Sequence, residues 1–332
     1  MNKIAFWCDN ARSIALPQSM LPALTAVAMA SNQVGFSWWM AVVAVAGVVF
    51  AHLGMNLADD YFDYHVKGAE TREQLASEGM RSRVAKYPYL TNGSATVRGL
   101  ALAMTTFLIL AAACGLFLVC FRGSVVSAVA FLGFILGISY SGGPLKMGYH
   151  GLGELVIGVM FGPLLMFGTY YACCGVYAAE ILWVSVPVGL LVTNIVYSHS
   201  IMDALPDAKV GKMTFARLLR SDGAMLAASA MFNFLPFVLI GLAIVLGELS
   251  VWYAVVGVVL PMAVYLFASL RRFVGKRDEA FATRWWMGPM GDWEGYKRIG
   301  IEWFMIRWLV ARNLISFFCL LIILFNLILR FV

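Results

Sequence analysis

Two short acidic stretches of this sequence have the residue types and the spacing of a metal site. In the first, HLGMNLADDYFDYHVKG (52–68), Asn56, Asp59, Asp60 and Asp63 follow an apolar run. A helix turns by about 100° per residue, so Asn56, Asp60 and Asp63 lie within about 60° of one another and Asp59 lies slightly to the side. The stretch predicts a row of oxygen-bearing side chains at the end of a helix, which we call the first acidic ladder.

The second stretch, HSIMDALPDAKVGKMT (199–214), carries Asp203 and Asp207, which we call the second acidic ladder. The two stretches align so that a histidine, a methionine and an aspartate coincide, and chance explains so short a match as well as a duplication does. Four predicted helices separate the two copies, an even number, so both ladders are expected at the same surface of the protein. Pro206 disfavours a helical conformation at the residue before it, which predicts that a helix ends near Asp203.

Clustered carboxylates repel one another, and a hard divalent cation relieves that repulsion by taking their oxygens as ligands. Mg²⁺ commonly joins one or two carboxylates to substrate phosphates, so the two ladders predict Mg²⁺ ions that hold a diphosphate. If these acids only ended a helix in water, one or two of them would be explained, but not the matching pair in the second stretch. The six cysteines show no metal-type spacing.

The composition indicates an integral membrane protein. Of the 332 residues, 61% are hydrophobic and 13% are charged, whereas a soluble protein carries about 25% charged residues. A helix of about 20 apolar residues spans a membrane. The sequence predicts an all-α bundle, one domain over 1–332, with nine transmembrane segments: 14–31, 36–58, 97–120, 124–141, 153–174, 180–202, 224–246, 250–270 and 309–331.

The basic residues predict the orientation of this bundle. With the N-terminus inside, all of the 24 lysines and arginines except Arg122 and Arg330 fall at one face, and basic residues are retained on the cytoplasmic side. The net charge of +6 is therefore a topology signal that needs no nucleic-acid partner. We expect a multi-pass protein of the cytoplasmic (inner) membrane with both ladders at the cytoplasmic face. A diphosphate with a hydrocarbon tail would fit there, its head at the ladders and its tail among helices and membrane lipids.

Several basic residues could bind the diphosphate. Taken singly, a lysine here is explained more simply by retention of positive charge inside, but the position of Lys67, Lys146 and Lys212 beside the ladders favours a role with the diphosphate. Arg81 and Arg83 belong to segment 64–96, which is either a cap over the diphosphate or an inert loop near anionic lipid.

Two histidines and a tyrosine have open roles. His52 and His199 each precede a ladder by one helical turn, where a base could take a phenolic proton or bind an acceptor carboxylate. Each could equally be a neutral histidine hydrogen-bonded inside the bundle, and His199 is the stronger candidate. Tyr140 either lines the cavity or marks the membrane interface. Segment 271–308 is expected to be an amphipathic surface segment with Trp285 and other tryptophans at the headgroups.

The two ladders resemble motifs of a known family. NLADDYFDYHVKG (56–68) resembles the first aspartate-rich motif of the UbiA superfamily of intramembrane prenyltransferases, and DALPDAKVGKMT (203–214) resembles the second. ARSIALPQSMLPALTAVAMA (11–30) is similar to the usual opening helix. The stretch from Tyr140 to Tyr171 is similar to members of the menaquinone pathway, which transfer a polyprenyl chain to 1,4-dihydroxy-2-naphthoate.

The resemblance implies a nine-helix bundle around a central cavity, with Lys146 near the diphosphate. It also implies Mg²⁺ bound through five side chains: Asn56, Asp60, Asp63, Asp203 and Asp207. The implied reaction passes a polyprenyl group from a polyprenyl diphosphate to an aromatic acceptor. The sequence departs from the menaquinone-type pattern at Asp59 and Glu70, and His199-Ser-Ile-Met replaces a run that ends in arginine. The missing arginine removes one diphosphate or acceptor contact, so the acceptor is less firmly indicated than the reaction.

Other functions remain open at this point. A hydroxybenzoate, a homogentisate or a porphyrin-type ring could replace the naphthoate as acceptor. A cation-coupled transporter is the alternative of another class, but transporters keep charged sites near the membrane midplane, whereas these acids gather at one face. The sequence indicates neither the prenyl chain length nor the oligomeric state.

Overall fold

A computed structural model describes residues 3–65, 87–209, 211–277 and 280–330. The described residues are mostly helical and form no strand. Eight of the helices are long and apolar enough to cross a membrane. The predicted all-α membrane bundle is therefore confirmed.

Fourteen helices are numbered here in chain order. They are α1 (Lys3–Asn10), α2 (Pro17–Ala30), α3 (Trp38–His65), α4 (Pro88–Thr91), α5 (Val97–Arg122), α6 (Ser124–Ser141), α7 (Gly153–Cys174), α8 (Ala179–Met202), α9 (Ala204–Lys209), α10 (Phe215–Leu218), α11 (Asp222–Val245), α12 (Val251–Val274), α13 (Trp293–Arg298) and α14 (Glu302–Leu329). Short 3₁₀ turns lie at Ser13–Ala15, Met147–Tyr149 and Trp285–Met287, and the first half of α12 is also 3₁₀.

The long helices agree with eight of the nine predicted segments. The first predicted segment, 14–31, is the 14-residue helix α2, which packs against α7 and α14, so the count of nine and the side of the N-terminus stay predictions. The last helix begins at Glu302 rather than at 309. The expected surface segment 271–308 is therefore wrong from Glu302 onwards, because these residues belong to α14 and Arg307 is fully buried there.

Helix α8 forms the centre of the bundle. It packs against α2, α7, α11 and α14, and most of its residues are buried. Asn194 of α8 and Asn233 of α11 exchange side-chain hydrogen bonds of 3.0 and 3.3 Å, which satisfies two amides inside an apolar core. The helix ends at Met202, with Asp203 as its C-cap, so the second acidic ladder begins where the central helix stops.

Glycines bring α7 and α8 into close contact. Gly158 and Gly162, four residues apart on α7, both face Gly189 of α8: a Cβ atom on Gly162 would lie 2.4 Å from the Gly189 Cα atom. Small residues at this spacing let membrane helices approach closely. The helix also widens into a π turn at Met160–Leu164, which contains Pro163, a residue without an N–H to donate. The crossing holds the start of α7 against the end of α8.

We expect Gly162→Ala to destabilise the bundle, because the added methyl group would meet the backbone of α8. Overpacking of this kind costs about 1–3 kcal/mol. The matched control is Gly241→Ala in α11, where a Cβ atom meets nothing within 4 Å. The measurement is the melting temperature and the monodisperse yield of both variants in detergent. Equal melting temperatures for the two variants would show that the crossing tolerates a methyl group.

Candidate active site

The first acidic ladder lies on the last turns of α3. Its two central carboxylates are almost completely buried, since Asp60 is 2% exposed and Asp63 is 4% exposed. Ionisable groups buried in a membrane protein are costly and need partners. The partners come from four other parts of the chain.

Arg12 reaches the ladder from the N-terminal segment. Its guanidinium lies 3.2 Å from Asp59 Oδ2 and also contacts Asp60 Oδ1. The Asn56 amide donates a 2.9 Å hydrogen bond to the Ala11 carbonyl and so fixes this segment on α3. Burial alone would lower the pKa of Arg12, but Asp60 and Asp59 outweigh it and raise the pKa above its ordinary value. Arg12 therefore stays charged and neutralises part of the ladder.

Two hydroxyl groups also donate hydrogen bonds to these carboxylates. Tyr89, on α4, donates a 2.9 Å hydrogen bond to Asp60 Oδ2, and Ser141, at the end of α6, donates to Asp59 Oδ1. Burial and then the charge of Asp60 raise the pKa of Tyr89, so its phenol stays protonated and remains a donor.

The second acidic ladder is buried at the junction of α8 and α9. Asp203 is 3% exposed and Asp207 is 4% exposed. His199 Nε2 lies 3.2 Å from Asp203 Oδ2, an ion-pair distance, and its ring meets Phe304 edge to face. The Asp207 amide donates to the Asp203 carbonyl at 2.9 Å, which continues the helical turn across the C-cap.

A loop after α6 connects the two ladders. The Tyr149 hydroxyl donates to Asp63 Oδ1 at 2.5 Å, while the Tyr149 carbonyl accepts a 3.3 Å bond from the Met213 amide. Next to Met213, the Lys212 amide donates to the Asp207 carbonyl at 2.9 Å, and the Lys212 ammonium lies 5.8 Å from the centre of the Tyr149 ring. One tyrosine therefore joins a first-ladder carboxylate to the segment that follows the second ladder.

Tyr140 lies between the two ladders. It is within electrostatic reach of Asp59, Glu154 and Asp207. Its ring packs so closely on the loop that a Cβ atom on Gly153 would lie 3.0 Å from it. Both ladders therefore converge on one region at the same end of the bundle.

Glu154 is a buried acid next to this region. Ser200 of α8 donates a 2.6 Å hydrogen bond to its carboxylate, and the Phe215 amide donates to the same oxygen at 3.0 Å. Glu154 thus fixes the ends of α7 and α8 together. Its isolation as a charged residue at the start of an apolar stretch is the sequence signal that could have indicated it.

An apolar cavity of about 580 Å³ lies next to the first ladder. Helices α3, α5, α6 and α7 form its walls, and its lining along α3 runs from Ala44 to Met55, about 16 Å of helix. Phe134 and Phe161 contribute aromatic faces, and His52 lies at the end nearest to the ladder. The region therefore offers charged and apolar space side by side.

The donor set of the ladders suits Mg²⁺, which prefers carboxylate and amide oxygens. Within the described ranges, no three His, Cys, Asp or Glu side chains form a ready-made metal cage. A cation here would therefore need oxygens from a ligand in addition to those of the carboxylates. Mg²⁺ sites that include substrate phosphates have this character.

The other predicted residues fall into two groups. Lys67, Arg81 and Arg83 lie outside the described residues. Lys146 starts the loop that carries Tyr149, in a left-handed conformation (φ 41°), and its ammonium makes no hydrogen bond or ion pair with the described part of the chain. Sequence reasoning missed Arg12, Tyr89, Tyr149 and Glu154 as members of the site.

The chain matches a known family over most of its length. The model of the UbiA prenyltransferase family matches residues 19–288. A Mycobacterium tuberculosis protein called 1,4-dihydroxy-2-naphthoate octaprenyltransferase is 30% identical over 220 residues, 65% of this chain and 70% of the relative. A Bacillus subtilis protein of the same name is 26% identical and covers 75% of this chain and 76% of the relative.

Solved structures share the fold. A UbiA homologue from Archaeoglobus fulgidus, bound to GPP and Mg²⁺, superposes with a TM-score of 0.59 at 13% identity and covers 96% of this chain and 99% of its own. The apo structure of a UbiA homologue from Aeropyrum pernix gives 0.57 at 18% identity, with 95% and 98% covered.

We expect Tyr149→Phe to loosen the connection between the ladders. The substitution keeps the ring under Lys212 but removes the hydroxyl that binds Asp63, and a hydrogen bond to a charged group contributes about 1.5–3 kcal/mol. The measurement is the melting temperature in detergent, with and without Mg²⁺. Tyr177→Phe, at an exposed position between α7 and α8, is the matched control. A Tyr149→Phe variant as stable as this control would contradict the bridging role.

Proposed function

The chain belongs to the UbiA prenyltransferase family, and on that premise we propose that it transfers a polyprenyl group from a polyprenyl diphosphate to 1,4-dihydroxy-2-naphthoate. The names of the Mycobacterium tuberculosis and Bacillus subtilis relatives support this acceptor. The match to the prenyltransferase family favours the enzyme over the transporter alternative. A hydroxybenzoate or another aromatic ring remains the alternative acceptor.

The observation that carries the proposal is the convergence of two buried acidic ladders beside an apolar cavity. The Tyr149 loop connects Asp63 to the segment after Asp207, and the cavity lining on α3 ends at Met55, directly before the first ladder. A polyprenyl diphosphate has a strongly anionic head and a long apolar tail. Its head would lie at the ladders, with its tail in the cavity.

Mg²⁺ would be held by Asn56, Asp59, Asp60 and Asp63 from the first ladder and by Asp203 and Asp207 from the second. When bound, it would neutralise the charge that develops on the departing diphosphate. Lys146 and Lys212 lie on the connecting loop and after the second ladder, where their charges would act on the same diphosphate. Arg12 already forms ion pairs with the first ladder and could pair with a phosphate oxygen in place of one carboxylate. Lys67, Arg81 and Arg83 remain predicted diphosphate ligands.

The reaction breaks the allylic C–O bond and releases pyrophosphate, and an electron-rich ring carbon attacks the allylic carbon. With the naphthoate, carbon dioxide leaves as the ring is alkylated. As the C–O bond breaks, positive charge develops on the allylic carbon. The apolar lining would exclude water that could attack this allylic cation, and the rings of Phe134 and Phe161 favour positive charge nearby. His199, 3.2 Å from Asp203, is the candidate to take the phenolic proton of the acceptor as the ring attacks and to return it once the carboxylate has left as carbon dioxide, and Tyr140 would line the reaction space.

We also propose that the ladders face the cytoplasm from an inner membrane. The chain is a multi-pass membrane protein, with exposed apolar residues along α5 and α6. Lys146, Lys209 and Lys212 lie near the ladders, whereas Arg122 and Arg330 end helices at the opposite side. This distribution is the one that basic residues show across membranes.

Purified protein with Mg²⁺, a polyprenyl diphosphate and dihydroxynaphthoate should release pyrophosphate and form a prenylated naphthoquinol. Chelation of the metal should stop both. The measurement is pyrophosphate release together with mass analysis of the lipid product. Product formation with hydroxybenzoate or homogentisate alone would show that the acceptor is wrong while leaving the reaction class intact.

Asp60→Asn and Asp203→Asn should each reduce turnover by about 100-fold or more, because each removes a carboxylate charge from the space that would hold the metal and diphosphate. Asp222→Asn is the matched control, an exposed acid in the first turn of α11. The measurement is the steady-state rate at saturating substrates, with the melting temperature as a check on folding. Full turnover in both ladder variants would show that Asp60 and Asp203 do not belong to the metal site.

A further inference from the structure

His52 is a buried polar side chain whose hydrogen-bonding capacity is not satisfied within the described fold. It is 9% exposed, and neither Nδ1 nor Nε2 has a hydrogen-bond partner among the described residues. Its ring centre lies 5.6 Å from that of Phe161, and the apolar residues Ala51, Met55 and Leu108 line the same cavity.

This arrangement is unusual, because a neutral imidazole has one N–H donor and one acceptor nitrogen and buried polar groups are normally paired. A water molecule is a poor partner here, since a buried water needs two to four polar contacts and the lining near His52 is apolar. A prenyl chain has no polar atom to offer. Among the described residues nothing supplies this partner, whereas a second molecule with a hydrogen-bonding group that enters this end of the cavity would do so.

We propose that His52 binds a ring hydroxyl of the aromatic acceptor and thereby positions the ring against the allylic carbon. His52 lies one turn, about 6 Å, from Asn56 along α3, between the ladder and the apolar length of the cavity. The carbon that leaves the diphosphate would lie at this level, since it joins the anionic head to the tail. The proposal rests on the proposed function and adds an acceptor site to it.

The surroundings of His52 suit a flat ring. The Phe161 ring lies next to the imidazole at an interplanar angle of 60°, and two flexible methionines lie toward the ladder. Met55 and Met160 both pack on Gly137 of α6, where a Cβ atom would lie 3.0 Å from Met55 Cε and 3.4 Å from Met160 Cε. Methionine side chains adapt easily to aromatic partners. In dihydroxynaphthoate each ring carbon open to prenylation lies next to a hydroxyl-bearing carbon, so one bond to His52 would orient the reacting edge.

The test removes the imidazole and the hydroxyl in turn. His52→Phe keeps a ring but removes both nitrogens, and His52→Gln keeps hydrogen-bonding capacity. Each is assayed with dihydroxynaphthoate and with the two naphthoates that lack one hydroxyl. Ser127→Ala, which removes a polar side chain from the far end of the cavity, is the control.

We expect wild-type protein to use one monohydroxy analogue at least 10-fold less efficiently in kcat/KM than the full acceptor. His52→Phe should raise the KM of dihydroxynaphthoate about 10-fold and use that analogue as well as the full acceptor. The KM of the polyprenyl diphosphate should not change. His52→Gln should restore most of the discrimination, and Ser127→Ala should keep all of it.

Discrimination that persists unchanged in His52→Phe would overturn the proposal, as would a rise in the KM of the polyprenyl diphosphate alone. If His52→Phe does not fold, His52→Met removes the same polar atoms and carries the same test. Failure of the proposed function would appear separately, as the absence of transfer to dihydroxynaphthoate by wild-type protein.

Discussion

The burial of four carboxylates at one end of a membrane bundle is the constraint on which the rest of the site depends. Asp60, Asp63, Asp203 and Asp207 are each at most 4% exposed, and uncompensated buried charge is too costly to persist. Their partners come from separate parts of the chain: the N-terminal segment, helix α4, the loop after α6 and the end of α8. Satisfying the carboxylates therefore orders the segments that surround the site.

Helix α3 carries the functional regions in the order in which a prenylation reaction would need them. Small apolar residues from Ala44 to Ala51 line the cavity, His52 and Met55 follow, and the acids from Asp59 to Asp63 come last. The tight crossing at Gly162 and Gly189 packs α7 against α8, and Glu154 joins the start of α7 to the end of α8 near the second ladder. Small residues therefore allow both the close packing of α7 on α8 and the open apolar space along α3.

Local patterns were sufficient to predict the helices, because a long apolar run in a membrane protein has few alternatives to a helix. The end of α8 at Met202 agrees with the prediction made from Pro206, although Leu205 before that proline is helical in α9. The partners of the acids could not be predicted, since Arg12 and Tyr149 reach the ladder only through tertiary folding of an N-terminal segment and a loop. Glu302–Arg307 was missed as part of α14 because its charges and tryptophans resemble a surface segment.

The claim that two ladders share one ion cluster is tested most directly by a structure determined with Mn²⁺ in place of Mg²⁺ and with a non-hydrolysable polyprenyl diphosphate analogue. Anomalous scattering would locate the ions without ambiguity. We expect ions that contact carboxylates of both α3 and the α8–α9 junction and that share the diphosphate between them. Ions held by one ladder alone, or a diphosphate bound away from both, would contradict a shared site.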